Sequence, residues 1–234
     1  MQKMMALALL AGAAMGAHAQ NVSITVTNEL GSGGFSVTPV WFAFHNGGFD
    51  SYNGGEPASN FPGLTELAED GNTGPITDAF AASSAAAAGG IDGPLASSPG
   101  ESQTFDNISV GDSSVNRYFS FASMVVPTND LFIANGDPFA HEVFDAAGNF
   151  NGPLTIQIFG ADVNDNGTEV NNAFGGAAFS VNGGDRADEN GLIRNFFTVA
   201  GDEDYLASFI GTGTPDGGTI TSAFGAGDLL ATIR

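Results

Sequence analysis

The chain of 234 residues contains no cysteine. This absence excludes disulfide bonds, thiol catalysis and zinc–thiolate sites, and it also excludes the lipid-modified cysteine of a bacterial lipoprotein. The folded protein must therefore gain its stability from a packed core and from any ions that it binds.

Basic residues are almost as scarce. One lysine, Lys3, and four arginines stand against 26 acidic residues, so the formal net charge is −21. Nucleic acids and anionic membranes are held mainly by Lys and Arg side chains that neutralise phosphate, so neither is an expected partner. Cations are the small partners that this composition favours.

The first nineteen residues have the features of a secretory signal peptide. Lys3 precedes an apolar stretch that is too short to span a bilayer, and Ala17 and Ala19 supply the small side chains that signal peptidase requires. The alternative is a buried N-terminal helix. We therefore predict a signal peptide at residues 1–19 and one exported domain at residues 20–234, secreted or otherwise extracytoplasmic, without membrane insertion. Loss of Lys3 leaves that domain with a net charge of −22.

Short apolar runs between glycine-rich turns indicate an all-β fold. The segment 22–27 alternates apolar and hydroxyl side chains, as expected for a strand with one buried face. No strand–helix–strand rhythm is repeated, which favours an antiparallel β-sandwich over a parallel sheet. Further strands are predicted at about residues 35–44, 103–110, 117–126, 154–159, 178–181, 193–199, 205–210 and 229–233.

One stretch, near residues 63–90, departs from this pattern and predicts a short helical insertion. Pro75 is suited to a first helical turn, and Gly71, Gly89 and Gly90 are suited to helix ends.

The densest group of oxygen-bearing side chains lies at residues 162–171, directly after a predicted strand. Calcium prefers six to eight hard oxygen ligands, and a loop with glycine at its bend can direct several of them to one point. The loop starts like an EF-hand, with Asp162, Asn164, Asn166 and Gly167 at positions 1, 3, 5 and 6. It ends differently, because Ala173 stands where a bidentate glutamate is required. A hairpin turn with solvated acids is the alternative.

Two separated segments resemble the spondin domain found in F-spondin and mindin. The segment Ser120–Phe132 is similar to the family's S-M-(hydrophobic)-x-P-S-x-D-W/F motif, and Asp165–Glu169 is similar to its D-A-G-T-D/E loop. Three upstream segments resemble the bacterial branch of the family: His45–Asp50, Gly55–Ser59 and Leu67–Gly71.

This resemblance implies an eight-stranded antiparallel β-sandwich of C2-like topology, with a calcium ion at one end. The metal ligands that it implies are Asp130, Asp165 and Glu169. Three features differ from the animal domains: disulfides are absent, Leu131 or Phe132 stands at the tryptophan position, and the second loop acid is a glutamate. No motif for contact with integrins or matrix is matched.

Neither histidine of the predicted mature chain, His45 or His141, lies in a complete catalytic or metal-ligand pattern. His141 and the following glutamate begin like a zinc-protease helix, but the second histidine is missing. His45 is interpreted as a structural or loop residue. No Gly-x-Ser-x-Gly elbow occurs, and the single tryptophan, Trp41, lies in an apolar strand where a core position is expected.

The sequence therefore predicts a secreted, calcium-binding, non-enzymatic module that acts by binding or adhesion at the cell surface or in extracellular matrix. Its partners would be a calcium ion and a matrix, glycan or cell-surface protein ligand. The alternative is a secreted carbohydrate-active protein, a glycoside hydrolase or lectin with an acidic cleft, because 26 acids always provide a carboxylate pair. A third interpretation is that the acidity reflects a saline habitat.

Overall fold

The computed structural model describes residues 19–85, 88–92, 98–214 and 216–234, with the backbone alone for Ala19 and residues 88–92. The predicted signal peptide therefore lies outside the described residues, apart from Ala19. The strands are β1 (Ala19–Asn28), β2 (Ser36–Val37), β3 (Trp41–His45), β4 (Ala88–Asp92), β5 (Ser102–Asp112), β6 (Tyr118–Val126), β7 (Leu131–Ala134), β8 (Ile156–Phe159), β9 (Asn164–Asp165), β10 (Arg194–Asn195) and β11 (Leu229–Ile233). The α-helices are α1 (Leu64–Asp70), α2 (Gly74–Ala82) and α3 (Asp202–Ala207).

The strands form two antiparallel sheets, as predicted. One has four strands in the order β5-β1-β11-β8. The other has seven: six in the order β10-β9-β7-β6-β3-β4, and β2, which pairs with β6 outside that order. The expectation of eight strands is wrong, because the described residues contain more. The excess includes two-residue strands such as β9 and β10, which extend the larger sheet beyond β7.

The main core lies between the two sheets. In β1, Ile24 and Val26 point into it, while the intervening Thr25 and Thr27 face outward and bond Thr104 and Ser102 of β5. This is the alternation expected of a strand with one buried face.

A second core lies on the opposite face of the larger sheet, beneath α1 and α2. In β3, Phe42 and Phe44 belong to the main core, whereas Trp41 and Ala43 belong to the second core with Leu64 and other helical residues. The central strands are therefore buried on both faces, which explains their unbroken apolar sequences. Trp41 is fully buried, so its predicted core position is confirmed.

Most of the long predicted strands are confirmed. Residues 22–27, 103–110 and 229–233 lie in β1, β5 and β11, and the segment 117–126 matches β6 within one residue. The segment 154–159 is a strand only from Ile156.

Other strand predictions are wrong. The segment 35–44 is divided between β2 and β3, residues 178–181 form turns, and residues 193–199 hold only the two-residue β10 before a 3₁₀ helix. The segment 205–210 begins within α3 and continues into turns. Tyr205, Leu206 and Phe209 follow a helical spacing that buries all three on one face.

The predicted helical insertion is confirmed as α1 and α2. Gly71 caps α1 at φ 61°, and Pro75 lies in the first turn of α2. Gly63 starts α1 at φ 88°, where an added Cβ would lie 2.2 Å from the Ile76 nitrogen, so only glycine allows the two helices to approach here. Gly89 and Gly90 end no helix, because α2 stops at Ala82 and both glycines lie in β4.

None of the helices in the described ranges is both long enough and apolar enough to cross a membrane.

Candidate metal centre

The three predicted ligands, Asp130, Asp165 and Glu169, lie together at the β7–β9–β10 edge of the larger sheet; we call them the acidic cluster. Asp130 ends the turn between β6 and β7, and Asp165 in β9 is the cross-strand neighbour of Leu131 in β7. Glu169 follows in the next loop. All three are buried, with exposures of 0, 3 and 2%. Residues separated by about forty positions are thus brought to one place.

A tight turn after β9 fixes the spacing of the cluster. The Asp165 Oδ1 atom accepts a hydrogen bond from the Gly167 amide at 2.8 Å. Gly167 has φ 68°, and an added Cβ would lie 2.9 Å from the Leu192 carbonyl oxygen. Glycine is therefore required at this bend, and it turns the chain so that Glu169 returns toward Asp130.

Asp130 faces the amides of this loop. Its Oδ2 atom accepts hydrogen bonds from the main-chain nitrogens of Thr168 at 2.9 Å and Glu169 at 3.0 Å. Its Oδ1 atom is buried and has no hydrogen-bond partner. Burial, together with the nearby charge of Asp165, raises the pKa of Asp130 to about 7. The environment thus penalises a bare negative charge on this side chain.

Asp165 is neutralised by an arginine. The Arg194 Nη2 atom donates to Asp165 Oδ2 at 2.7 Å, and the two residues are cross-strand neighbours in β9 and β10. The same guanidinium bonds both carboxylate oxygens of Asp202, which is buried at the start of α3. One cation therefore serves two buried carboxylates.

Glu169 is held by an amide and approached by a second arginine. Asn129 Nδ2 donates to its Oε2 atom at 3.2 Å, and Arg186 Nη1 lies 3.3 Å from its Oε1 atom. Burial raises the pKa of Glu169. The Oδ1 atom of Asn129 accepts bonds from the Tyr205 hydroxyl and the Asn172 amide, which links the β6–β7 turn to the later loops.

Three buried oxygens in this network have no hydrogen-bond partner: Asp130 Oδ1, Asn166 Oδ1 and Asn171 Oδ1. They are half of the six unpartnered buried side-chain atoms in the described ranges. Asn166 Nδ2 donates to Thr168 Oγ1, and Asn171 Nδ2 donates to Asp165 Oδ2 at 2.7 Å, so the amide orientations are fixed by their acceptors. Carboxylate and amide carbonyl oxygens are calcium ligands, so this donor set fits that ion.

Carboxylates alone do not form the site. Within the described ranges, no group of three or more Asp, Glu or His side chains is arranged to hold a metal ion. The EF-hand-like spacing is not realised either. Asp162 is exposed and bonds the Phe159 amide, and Asn164 bonds the Tyr52 hydroxyl.

Sequence reasoning missed the side chains that partner the acidic cluster. Arg186 and Arg194 come from later segments without any motif, and the sequence indicates Asn171 only as one member of the polar loop at residues 162–171. A usable signal was nevertheless present. The chain has only five basic residues, so buried acids have few available counter-ions. Each arginine is therefore expected to form an ion pair with one of the candidate acids.

His45 is a structural residue of the second core. It is fully buried; the Gly47 amide donates to its Nδ1 atom, and its Nε2 atom lies 2.8 Å from Ser120 Oγ. The neutral ring must therefore carry its proton on Nε2, which cannot then accept the proton of Ser120. This pair has the wrong protonation for a serine nucleophile and its base.

We expect His45 to make stability dependent on pH. Burial lowers its pKa from 6.5 to about 4, so between these values the unfolded chain binds the proton more strongly than the folded protein. Stability contributed by His45 therefore falls as the pH falls through this window, by about 2 kcal/mol between pH 7 and pH 5. Urea unfolding at both values should show a smaller decrease for His45→Gln than for the wild type.

The comparison with His45→Gln isolates this one group. His141, with a pKa also lowered by burial, and Asp130, with a raised pKa and the opposite effect, are the same in both proteins. Equal decreases in the two proteins would show that His45 does not remain neutral in the fold.

No protein-family model matches the chain, and no curated protein is significantly similar to it.

Proposed function

We propose that the protein is an exported, calcium-binding module of the spondin type that acts by binding or adhesion and catalyses no reaction. The resemblance implies a C2-like sandwich with calcium at one end. An antiparallel sandwich in which Asp130, Asp165 and Glu169 share one buried network supports this proposal.

The observation that carries the proposal is the set of three unpartnered oxygens on Asp130, Asn166 and Asn171. A buried acceptor without a partner costs about 1–3 kcal/mol, so three within one network are expected to have a ligand. A water molecule has two hydrogens and could satisfy two of them at most. A calcium ion binds several oxygens at once and prefers this chemistry.

Calcium would have a structural role here, because its positive charge would stabilise the buried carboxylates. It would be held by Asp130 and the carbonyl oxygens of Asn166 and Asn171, with Asp165 and Glu169 close by. Arg186 and Arg194 already offset part of the charge of the last two acids, whereas Asp130 has no ion pair among the described residues. The ion would therefore neutralise chiefly Asp130, which suffers most from burial.

A binding role draws support from the surface beside this network. Phe174 and Leu192 have exposures of 58 and 53%. The Phe174 amide bonds Asn172, and Leu192 contacts the Gly167 bend, so these apolar side chains project from the loops that the ion would order. Exposed apolar groups on ordered loops are a common feature of protein and glycan contacts.

Thermal melting with different salts tests calcium binding. Calcium at about 100 times its dissociation constant should stabilise the fold by about 2.7 kcal/mol, which raises the melting temperature by about 5–10 °C. Magnesium or sodium chloride at equal ionic strength should cause much smaller shifts. Equal shifts with all three salts would contradict a calcium site and favour acidity as an adaptation to salt.

A second measurement tests the binding role. Purified protein applied to immobilised glycans and matrix proteins should be retained in calcium and released by a chelator. Incubation with soluble polysaccharides should give no new reducing ends. Hydrolysis of any of them would contradict the non-catalytic proposal and favour a glycoside hydrolase.

A further inference from the structure

A cavity of about 440 Å³ lies between the two sheets, at the end of the sandwich opposite the acidic cluster. Phe119, at the start of β6, lines it, whereas Asp130 follows the other end of the same strand. Further walls come from the first half of β1, the end of β11 and the loop before β8. Its volume is within the range of about 300–1,000 Å³ that is typical of small-molecule sites.

Four phenylalanine rings in this wall lead from the interior of the sandwich to its surface. The ring centroids of Phe119 and Phe44 lie 5.3 Å apart. The ring of Phe144 lies 6.4 Å from that of Phe44 and 5.8 Å from that of Phe150. The first three rings are buried, whereas Phe150 is 49% exposed, so the cavity opens to water beside Phe150. Aliphatic side chains form the rest of the apolar wall: Val22, Ile24, Val143, Leu154, Ile156 and Ile233.

The polar residues of β1 at this cavity direct their side chains away from it. Asn21 and Ser23 alternate along the strand with two apolar residues that face the other sheet. Both are exposed, and the Ser23 hydroxyl donates a hydrogen bond to Asp106 of β5. These two residues therefore line the cavity mainly with their main chain.

Among the described residues that line the cavity, only Arg234 has an ionisable side chain. Arg234 lies directly opposite Thr25, because the amide of each residue donates to the carbonyl oxygen of the other, at 2.9 and 2.8 Å. Opposed residues of antiparallel strands have their side chains on the same face. Thr25 faces outward and bonds Thr104, so the Arg234 side chain belongs to that outer face. No charged side chain of these lining residues therefore faces the cavity.

From this combination we infer that the cavity binds an uncharged, apolar small molecule. Binding removes the apolar surface of the ligand and of the phenylalanine and aliphatic side chains from water. A charged head group would lose its hydration without meeting a side chain of opposite charge, so a charged ligand would bind more weakly. This site is separate from the acidic cluster, and the inference does not rest on the proposed function.

Two fluorescent probes of nearly the same shape test this inference. N-phenyl-1-naphthylamine is uncharged, and 8-anilinonaphthalene-1-sulfonate has the same three rings with one added sulfonate. Fluorescence titrations are made in chelator, so the result does not depend on calcium. The uncharged probe should bind saturably, with one molecule per chain, and at least tenfold more tightly than the sulfonate. Absence of saturable binding, or equal or tighter binding of the sulfonate, would overturn the proposal.

Three variants locate the site. Leu154→Trp should fill the cavity and abolish binding of the uncharged probe. Phe150→Ala removes a half-exposed ring at the mouth and should weaken this probe at least threefold. The matched control is Phe139→Ala, because Phe139 is 56% exposed and packs on Tyr118 but does not line the cavity, so this variant should bind like the wild type. Undiminished binding in Phe150→Ala would overturn the proposal even if Leu154→Trp fails to fold.

Discussion

The variant Asp130→Asn should be at least as stable as the wild type in chelator but less stable than the wild type in calcium. At pH 8 in chelator, Asp130→Asn should be at least as stable as the wild type, by about 0–2 kcal/mol. The raised pKa gives the sign: the stability contributed by protonated Asp130 is lost as the pH rises through about 7, so at pH 8 the wild type keeps a buried, unneutralised charge. Asparagine is nearly isosteric and removes that charge.

In calcium the wild type should gain about 2.7 kcal/mol at 100 times the dissociation constant, and Asp130→Asn should gain less than about 0.5 kcal/mol. Guanidinium unfolding in both media gives the four values. Asp106→Asn, on an exposed position of β5 in the other sheet, removes the same charge and should keep the full calcium gain. A variant that is strongly destabilised in both media, or that keeps this gain, would contradict a calcium ligand at Asp130.

The fold was predictable where burial leaves a simple pattern. The alternating β1 and the glycine-bounded helices were found because each has one buried face and clear ends. The four-residue β7 was missed because a short apolar run buried on both faces has no period to detect. At α3, three consecutive acids, Asp202 to Asp204, indicate a helix start, but the apolar residues after them were interpreted as a strand.

The candidate site was predictable only in part. Asp130, Asp165 and Glu169 were grouped through the motif resemblance, and their shared network agrees with that grouping. Their surroundings were not predicted, because Arg194 and Arg186 reach the cluster through sheet pairing and loop packing. Long-range contacts of this kind produce no recognisable pattern of residue spacing in a single sequence. Which asparagine oxygens remain without a partner likewise depends on the acceptor that each side-chain NH2 group bonds in the folded protein.

Replacing Arg194 by methionine should give the largest loss of stability, about 3–5 kcal/mol in chelator, because Asp165 and Asp202 would remain buried without their cation. Methionine keeps most of the apolar volume against Phe196, over whose ring the guanidinium lies. Arg117→Met is the matched control. Its ion pair with Glu142 is more exposed and its loss should cost much less.

Calcium should restore part of this loss. Without Arg194, the Asp165 carboxylate is free to bind the ion, so Arg194→Met should gain more from calcium than the wild type in the same unfolding experiment. Adding Asp165→Asn should recover about 1–2 kcal/mol in chelator and remove the extra calcium gain, because the unpaired charge is then absent. If the calcium gain of Arg194→Met equals that of the wild type, Arg194 and calcium do not share Asp165, and the ion site must then be assigned without that carboxylate.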